Sequence, residues 1–167
     1  MPDYLNSNGC EGRPHGNERR VAGMGYDKTE RSLLVIARFY FLTFSDPSSQ
    51  GWMRASAAAR AAFDEPHASY IAAAVLEAVN ELRIARGSAF EFSNPDCPGC
   101  SQILCEAERQ FMEALTAVRL GRVSAAYASA MLLCEGGNSV PLIAALERLR
   151  DLLSDVKTEC PLASLQS

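Results

Sequence analysis

Apolar residues recur at helical spacing along most of this chain, and this pattern predicts α-helices rather than strands. The most regular stripe lies in residues 102–120 and consists of Leu104, Ala107, Phe111, Leu115 and Val118. A comparable stripe near the end of the chain consists of Leu142, Leu146, Leu149 and Leu153. Each stripe would cover one face of an amphipathic helix, so the pattern predicts several helices that share one apolar core.

Glycine, proline and short polar stretches divide the apolar pattern into separate helices. The predicted helices cover residues 29–44, 52–63, 66–86, 102–120, 123–135 and 139–157. Residues 90–92 alternate for too short a distance to imply a sheet. The sequence therefore predicts an all-α fold, a compact bundle of about five to six helices. Residues 1–28 are glycine-rich without periodicity and are predicted to be a flexible leader, 29–157 the helical domain and 158–167 a C-terminal tail.

The first predicted helix is unusually rich in aromatic residues. Its aromatic side chains are Phe39, Tyr40, Phe41 and Phe44. A helix that is apolar on so many sides is usually central in its domain or lies in an interface. One functional hypothesis is therefore a metal-free helical scaffold that self-associates through this helix.

Composition and charge describe an ordinary globular chain and exclude some partners. The 167 residues are 48% hydrophobic and 22% charged, with a net charge of -4. This size fits one domain with a core of its own. An acidic chain lacks the basic face that nucleic acid phosphates require, so we expect no nucleic acid partner.

The chain shows neither a secretory signal nor a membrane span. Its longest apolar run, residues 33–44, is shorter than the roughly 20 residues needed to cross a bilayer. We therefore expect a cytoplasmic protein with no membrane partner. In a reducing compartment the six cysteines are expected to be thiols or metal ligands rather than structural disulfides.

The strongest chemical signal is a cluster of cysteines. Cys97, Cys100 and Cys105 fall within nine residues, and Cys134 returns towards them across the hairpin predicted to turn at residues 121–122. Four thiolates suit tetrahedral Zn²⁺ or an iron–sulfur cluster. The spacing is half of a zinc ribbon and departs from the ferredoxin patterns. Our leading hypothesis is a structural zinc ion held by these four residues, with an iron–sulfur cluster as the alternative.

Two other interpretations of the cluster remain open. Cys97 and Cys100 are predicted to lie just before or at a helix N-terminus, where the helix dipole favours thiolates. They would then serve a thiol-based redox sensor or oxidoreductase, with Cys105 as a resolving thiol. Alternatively, Cys105 and Cys134 are small buried apolar residues, because free cysteine is among the most buried residue types.

No set of residues in the sequence indicates catalysis. The two histidines, His15 and His67, are accompanied by no Ser-His-Asp order, phosphate-binding glycine loop or zinc-binding helix motif. We therefore expect a small non-enzymatic regulatory protein. It would act through a protein partner or as a homo-oligomer.

Overall fold

The computed structural model describes residue 14 and residues 16–158, and helices account for most of them. The helices are α1 (Lys28–Ser45), α2 (Gly51–Ala62), α3 (His67–Ala85), α4 (Glu106–Arg119), α5 (Val123–Leu133) and α6 (Val140–Thr158). Two short strands, β1 (Arg19–Arg20) and β2 (Ile103–Leu104), pair antiparallel. The prediction of an all-α bundle is confirmed.

Helix α1 begins at a capping box and is tied there to the end of α4. The Asp27 carboxylate accepts a hydrogen bond from the Glu30 N–H at 2.7 Å, and the Glu30 carboxylate accepts one from the Asp27 N–H at 3.0 Å. Arg119 at the end of α4 pairs with both carboxylates, at 3.1 and 2.8 Å. The same residues therefore start one helix and fix its position against another.

Helix α1 lies at the centre of the described bundle and contacts α2, α3 and α4. The Phe41 ring stacks on Phe90 with centroids 4.1 Å apart and meets Phe111 edge-on at 5.8 Å. Against α2 the backbones approach closely, because a Cβ at Gly51 would lie only 2.3 Å from the Phe39 carbonyl oxygen. The aromatic residues of α1 thus belong mainly to the core of this domain.

Helices α3 and α6 pack along each other and complete the core. Their buried residues include Ile71, Val75, Val79, Leu82, Leu142, Leu146, Leu149 and Leu153. A pair between Arg148 and Glu77 links the two helices at the surface. The predicted leucine stripe of the last helix is therefore a core stripe.

The predicted start of α4 is wrong by four residues. Residues 100–102 form a 3-10 turn, and residues 103–104 form β2, so the helix begins at Glu106. The backbone of residues 103–104 bonds to Arg19 and Arg20 of β1 instead of continuing the helix. Leu104 is buried as predicted, but as a strand residue.

The predicted leader contains regular structure near its end. Within residues 1–28, β1 is followed by a 3-10 turn at Val21–Met24, and Val21, Met24 and Tyr26 pack against the core. Residues 1–13, His15 and the predicted tail beyond 158 lie outside the described residues.

Candidate functional site

The connection between α3 and α4, residues 86–105, carries three of the four predicted ligand residues and is held by a buried ion pair. Arg38 of α1 and Glu108 of α4 are 2% and 0% exposed, and their charged groups are 2.6 Å apart. The Glu108 carboxylate also accepts hydrogen bonds from the N–H groups of Ser93, at 3.1 Å, and Cys105, at 3.0 Å. A buried charge requires such additional partners, because its loss of hydration is otherwise uncompensated.

The guanidinium of Arg38 also binds the backbone of the α3–α4 connection directly. It donates to the carbonyl oxygens of Ser101 at 2.7 Å and Ile103 at 2.6 Å. We call Arg38, Glu108 and these four backbone partners the polar joint. Its hydrogen bonds fix the backbone of the connection on both sides of the cysteines.

Cys97 and Cys100 lie together in one tight turn within this connection. The Cys100 N–H donates to the Cys97 sulfur at 3.3 Å, and the Ser101 N–H donates to the Cys97 carbonyl oxygen at 2.8 Å. Cys97 is a free thiol, whereas the Cys100 sulfur is in a disulfide. The expectation that all six cysteines are thiols or ligands is therefore wrong at Cys100.

Cys105 lies at the cap of α4 rather than inside that helix. Its thiol donates to the Glu91 carbonyl oxygen at 3.2 Å, and its own N–H is bound by Glu108. Burial, together with the nearby Glu108 carboxylate, raises the pKa of the Cys105 thiol to about 12. Cys105 is thus held as a neutral thiol.

Cys134 directly follows α5 and is buried in the core, at 1% exposure. Burial raises the pKa of its thiol. Its surroundings fit the interpretation of Cys134 as a small buried apolar residue.

The structure brings two of the four predicted ligands together and places the others in different settings. Cys97 and Cys100 share a turn, and the Cys105 thiol bonds to a backbone carbonyl oxygen. Cys134 is buried directly after the last residue of α5. Within residues 16–158, no group of three or more His, Cys, Asp or Glu side chains is arranged to hold a metal ion. The zinc and iron–sulfur hypotheses therefore stay predictions.

Sequence reasoning missed an exposed apolar surface on α5. Of the residues it assigned to this helix, Ala126, Ala130 and Leu133 are buried, but Tyr127 and Met131 are exposed. We call the exposed large residues of this helix the α5 face: Val123, Tyr127, Met131 and Leu132, at 65%, 38%, 56% and 67% exposure. The available signal was the lack of any charged residue among the 11 residues of α5.

The described residues also form a cleft between the start of α1 and the end of α4. It measures about 250 Å³ and is lined by Asp27, Glu30, Arg119, Leu120, Arg150, Leu153 and Ser154. Small-molecule sites usually measure about 300–1,000 Å³ and are mainly apolar. The cleft is smaller than such sites and is lined by charged side chains. Arg119 of α4 forms ion pairs with both carboxylates in it, Asp27 and Glu30, so these groups hold α4 against the start of α1.

No protein-family model, curated protein or solved structure matches this chain. Among the described helices, none combines the length and apolar character needed to cross a membrane. The geometry of the polar joint, the Cys97–Cys100 turn and the α5 face is therefore what bears on function.

Proposed function

We propose that this protein is non-enzymatic and acts by protein–protein association, with the α5 face as its contact surface. The observation that carries this proposal is a helix without charged residues that leaves four large apolar side chains exposed. A contiguous exposed apolar patch commonly marks a site of protein association. Water contact with these side chains is unfavourable, and a partner that covers them removes it.

Helical geometry arranges the exposed residues of α5 in two ridges. Val123, Tyr127 and Met131 follow one another at four-residue spacing and form the first ridge. Ser124, Ala128 and Leu132 form the second in the same way, and all three are exposed. The second ridge therefore runs from small side chains near the start of the helix to a large one, Leu132, at its C-terminal end.

This arrangement favours a second copy of the chain as the occupant. In an antiparallel pair of α5 helices, Met131 and Leu132 of one copy would lie against Ser124 and Ala125 of the other. A two-fold interface requires a surface that is complementary to itself, and large-against-small packing meets that requirement. The face also has no charge that would select a partner of opposite charge.

The alternative of self-association through α1 has weaker support. Tyr40 and Phe41 are buried at 5% exposure. The rings of Phe39 and Phe44 each have a guanidinium group over one face, from Arg54 at 5.0 Å and Arg83 at 4.9 Å, and Phe44 is otherwise 40% exposed. The aromatic surface of this helix is thus largely used within the chain.

The proposal is tested by sedimentation equilibrium of the full chain over a range of concentrations. We expect a dimer for the wild type and a monomer for Leu132→Glu, because a buried unpaired carboxylate opposes association. Tyr70→Glu is the matched control, since Tyr70 is 60% exposed on α3, and it should stay dimeric. A monomeric wild type at every concentration, or a Leu132→Glu variant that dimerises like the wild type, would contradict the proposal.

The zinc hypothesis is a separate question with its own measurement. A zinc ligand must be a thiolate, and the Cys100 sulfur is in a disulfide. Elemental analysis of the fully reduced protein tests the hypothesis. One zinc per chain, together with loss of helicity on chelation, would support it, and metal-free protein with unchanged helicity would exclude it.

A further inference from the structure

Glu135, the second residue after α5, has an unusual backbone conformation for a glutamate. Its φ angle is +54°, in the left-handed region where a side chain crowds the backbone. Glycine is the residue usually found in this conformation directly after a helix. A strained residue of this kind persists only where its surroundings hold it, so the contacts of its side chain are a place to look for function.

The carboxylate of Glu135 ties the end of α5 to the start of the α3–α4 connection. It accepts hydrogen bonds from the Ser88 N–H, at 3.0 Å, and from the Ser88 hydroxyl, and it pairs with the Arg86 guanidinium at 3.0 Å. The same guanidinium donates to the Leu133 carbonyl oxygen at 2.7 Å. The hydrogen bonds from Ser88 lower the pKa of the Glu135 carboxyl. We call Glu135, Ser88 and Arg86 the α5 clamp.

The clamp and the turn beside it bind the last three carbonyl groups of α5, which a helix end leaves without partners of its own. The Met131 carbonyl oxygen accepts from the Gly136 N–H and that of Leu132 from the Glu135 N–H, both at 3.1 Å. The Leu133 carbonyl oxygen is the one bound by the clamp guanidinium. Met131 and Leu132 carry large exposed side chains of the α5 face. The clamp therefore holds the backbone that carries them.

The turn after α5 also lies tightly against the end of α3. A Cβ at Gly137 would be only 2.1 Å from the Ala85 carbonyl oxygen, so the two backbones nearly touch there. Arg86 directly follows Ala85, which places the clamp beside this contact. Helix ends open locally more easily than the interior of a fold. The clamp opposes such opening at the end of α5.

We propose that Glu135 is a positioning residue for association through the α5 face, an inference that rests on the proposed function. Its clamp keeps the last turn of α5 helical, so that Met131 and Leu132 are in place before a second copy binds. When only a fraction of the chains has a competent surface, the apparent dissociation constant rises by the inverse of that fraction. Both copies of a two-fold dimer use this surface, so the fraction enters twice.

Sedimentation equilibrium of the full chain and three variants tests this inference. Glu135→Ala keeps the strained conformation and loses the clamp. If about a third of each copy then keeps the last turn in place, the dimer dissociation constant rises about tenfold. Glu135→Gln keeps an oxygen acceptor for the two Ser88 donors and should recover most of the affinity. Glu77→Ala is the matched control, because Glu77 has a similar exposure, 42% against 37%, and pairs with Arg148 of α6. It should keep the wild-type constant.

Hydrogen exchange gives a second readout at concentrations where the chain is monomeric. Protection of the Gly136 amide, which bonds to the Met131 carbonyl oxygen, should fall in Glu135→Ala and stay unchanged in Glu77→Ala. A dimeric wild type would overturn this inference alone if Glu135→Ala kept the wild-type constant or the wild-type protection, or if Glu77→Ala weakened the dimer equally. A wild type that is monomeric at every concentration would overturn the proposed function and this inference together.

Discussion

The polar joint and the α5 face reverse the usual distribution of polar and apolar groups in opposite ways. The joint places two charged side chains inside the protein, whereas α5 places four large apolar side chains outside it. Arg38 and Glu108 are compensated by each other and by four backbone groups of the chain. The exposed side chains of α5 have no such cover among the described residues, and we infer that a second copy supplies it. Buried charges and exposed apolar side chains are each unfavourable alone, so each indicates where to look for the groups that compensate it.

The largest effect is expected when the joint is broken from one side. Glu108→Ala leaves the Arg38 charge buried without its partner and removes the acceptor for the Ser93 and Cys105 N–H groups. We expect the free energy of unfolding to fall by about 3–5 kcal/mol, as for other buried pairs that lose one member. Urea denaturation followed by circular dichroism measures the change.

A surface pair provides the matched control for this prediction. Glu77→Ala removes the carboxylate that pairs with Arg148, whose side chain is 52% exposed. We expect a loss of only about 0–1 kcal/mol, because water replaces the lost partner. Similar losses in the free energy of unfolding for Glu108→Ala and Glu77→Ala would show that burial does not determine how much an ion pair of this protein contributes to stability.

Two neighbouring leucines of α5 sharpen the comparison within one helix. Leu133 is 0% exposed and Leu132 is 67% exposed. Leu133→Ala should lower the free energy of unfolding by about 2–5 kcal/mol through the cavity that it leaves. Leu132→Ala should change it by less than about 0.5 kcal/mol, measured at concentrations where the chain is monomeric. Equal effects would mean that the outer side of α5 is covered within the monomer.

High pH tests the edge of the joint with a smaller effect. The pKa of Cys105 is raised from 9.0 to about 12 in the folded chain, by burial and by the Glu108 carboxylate. Its contribution to stability is therefore complete below pH 9.0 and is lost as the pH rises towards about 12, since the unfolded thiol ionises first. Cys105→Ser keeps a donor for Glu91 but does not titrate in this range.

The corresponding measurement is the free energy of unfolding of both proteins at a series of alkaline pH values. The wild type should lose stability more steeply than Cys105→Ser above pH 9.0. Tyr26, whose pKa burial raises to about 12, titrates in both proteins and cancels in the comparison. Parallel pH profiles would show that Cys105 is not held as a neutral thiol by the fold.

The helices could be predicted from sequence because their signals are local. The polar break at residues 45–51 separates α1 from α2, and the glycines at 136 and 137 separate α5 from α6. The prediction was wrong at residues 102–105, where the helical stripe continues through Leu104. That stretch pairs with β1 and binds Arg38, and neither partner is near it in sequence.

The chemistry of the cysteines was only partly predictable. Cys97 and Cys100 were predicted at the N-terminus of a helix, but they share a turn and α4 begins only at Glu106. The disulfide at Cys100 was missed, because compartment arguments predicted thiols throughout. The different settings of Cys105 and Cys134 depend on Glu91, Glu108 and the core behind α5, which no spacing rule contains.

The sequence by itself determined the helical class, the approximate limits of the helices and the apolar stripes that form the core. These features follow from 3.6-residue periodicity and from glycine and proline breaks, which act over a few residues. Only the tertiary structure decided which charges lie inside and which apolar side chains lie outside. Arg38 and Glu108 are 70 residues apart, and an uncharged helix such as α5 is buried or exposed according to its neighbours. Burial is a property of contacts between distant segments, so it is settled only when the helices pack.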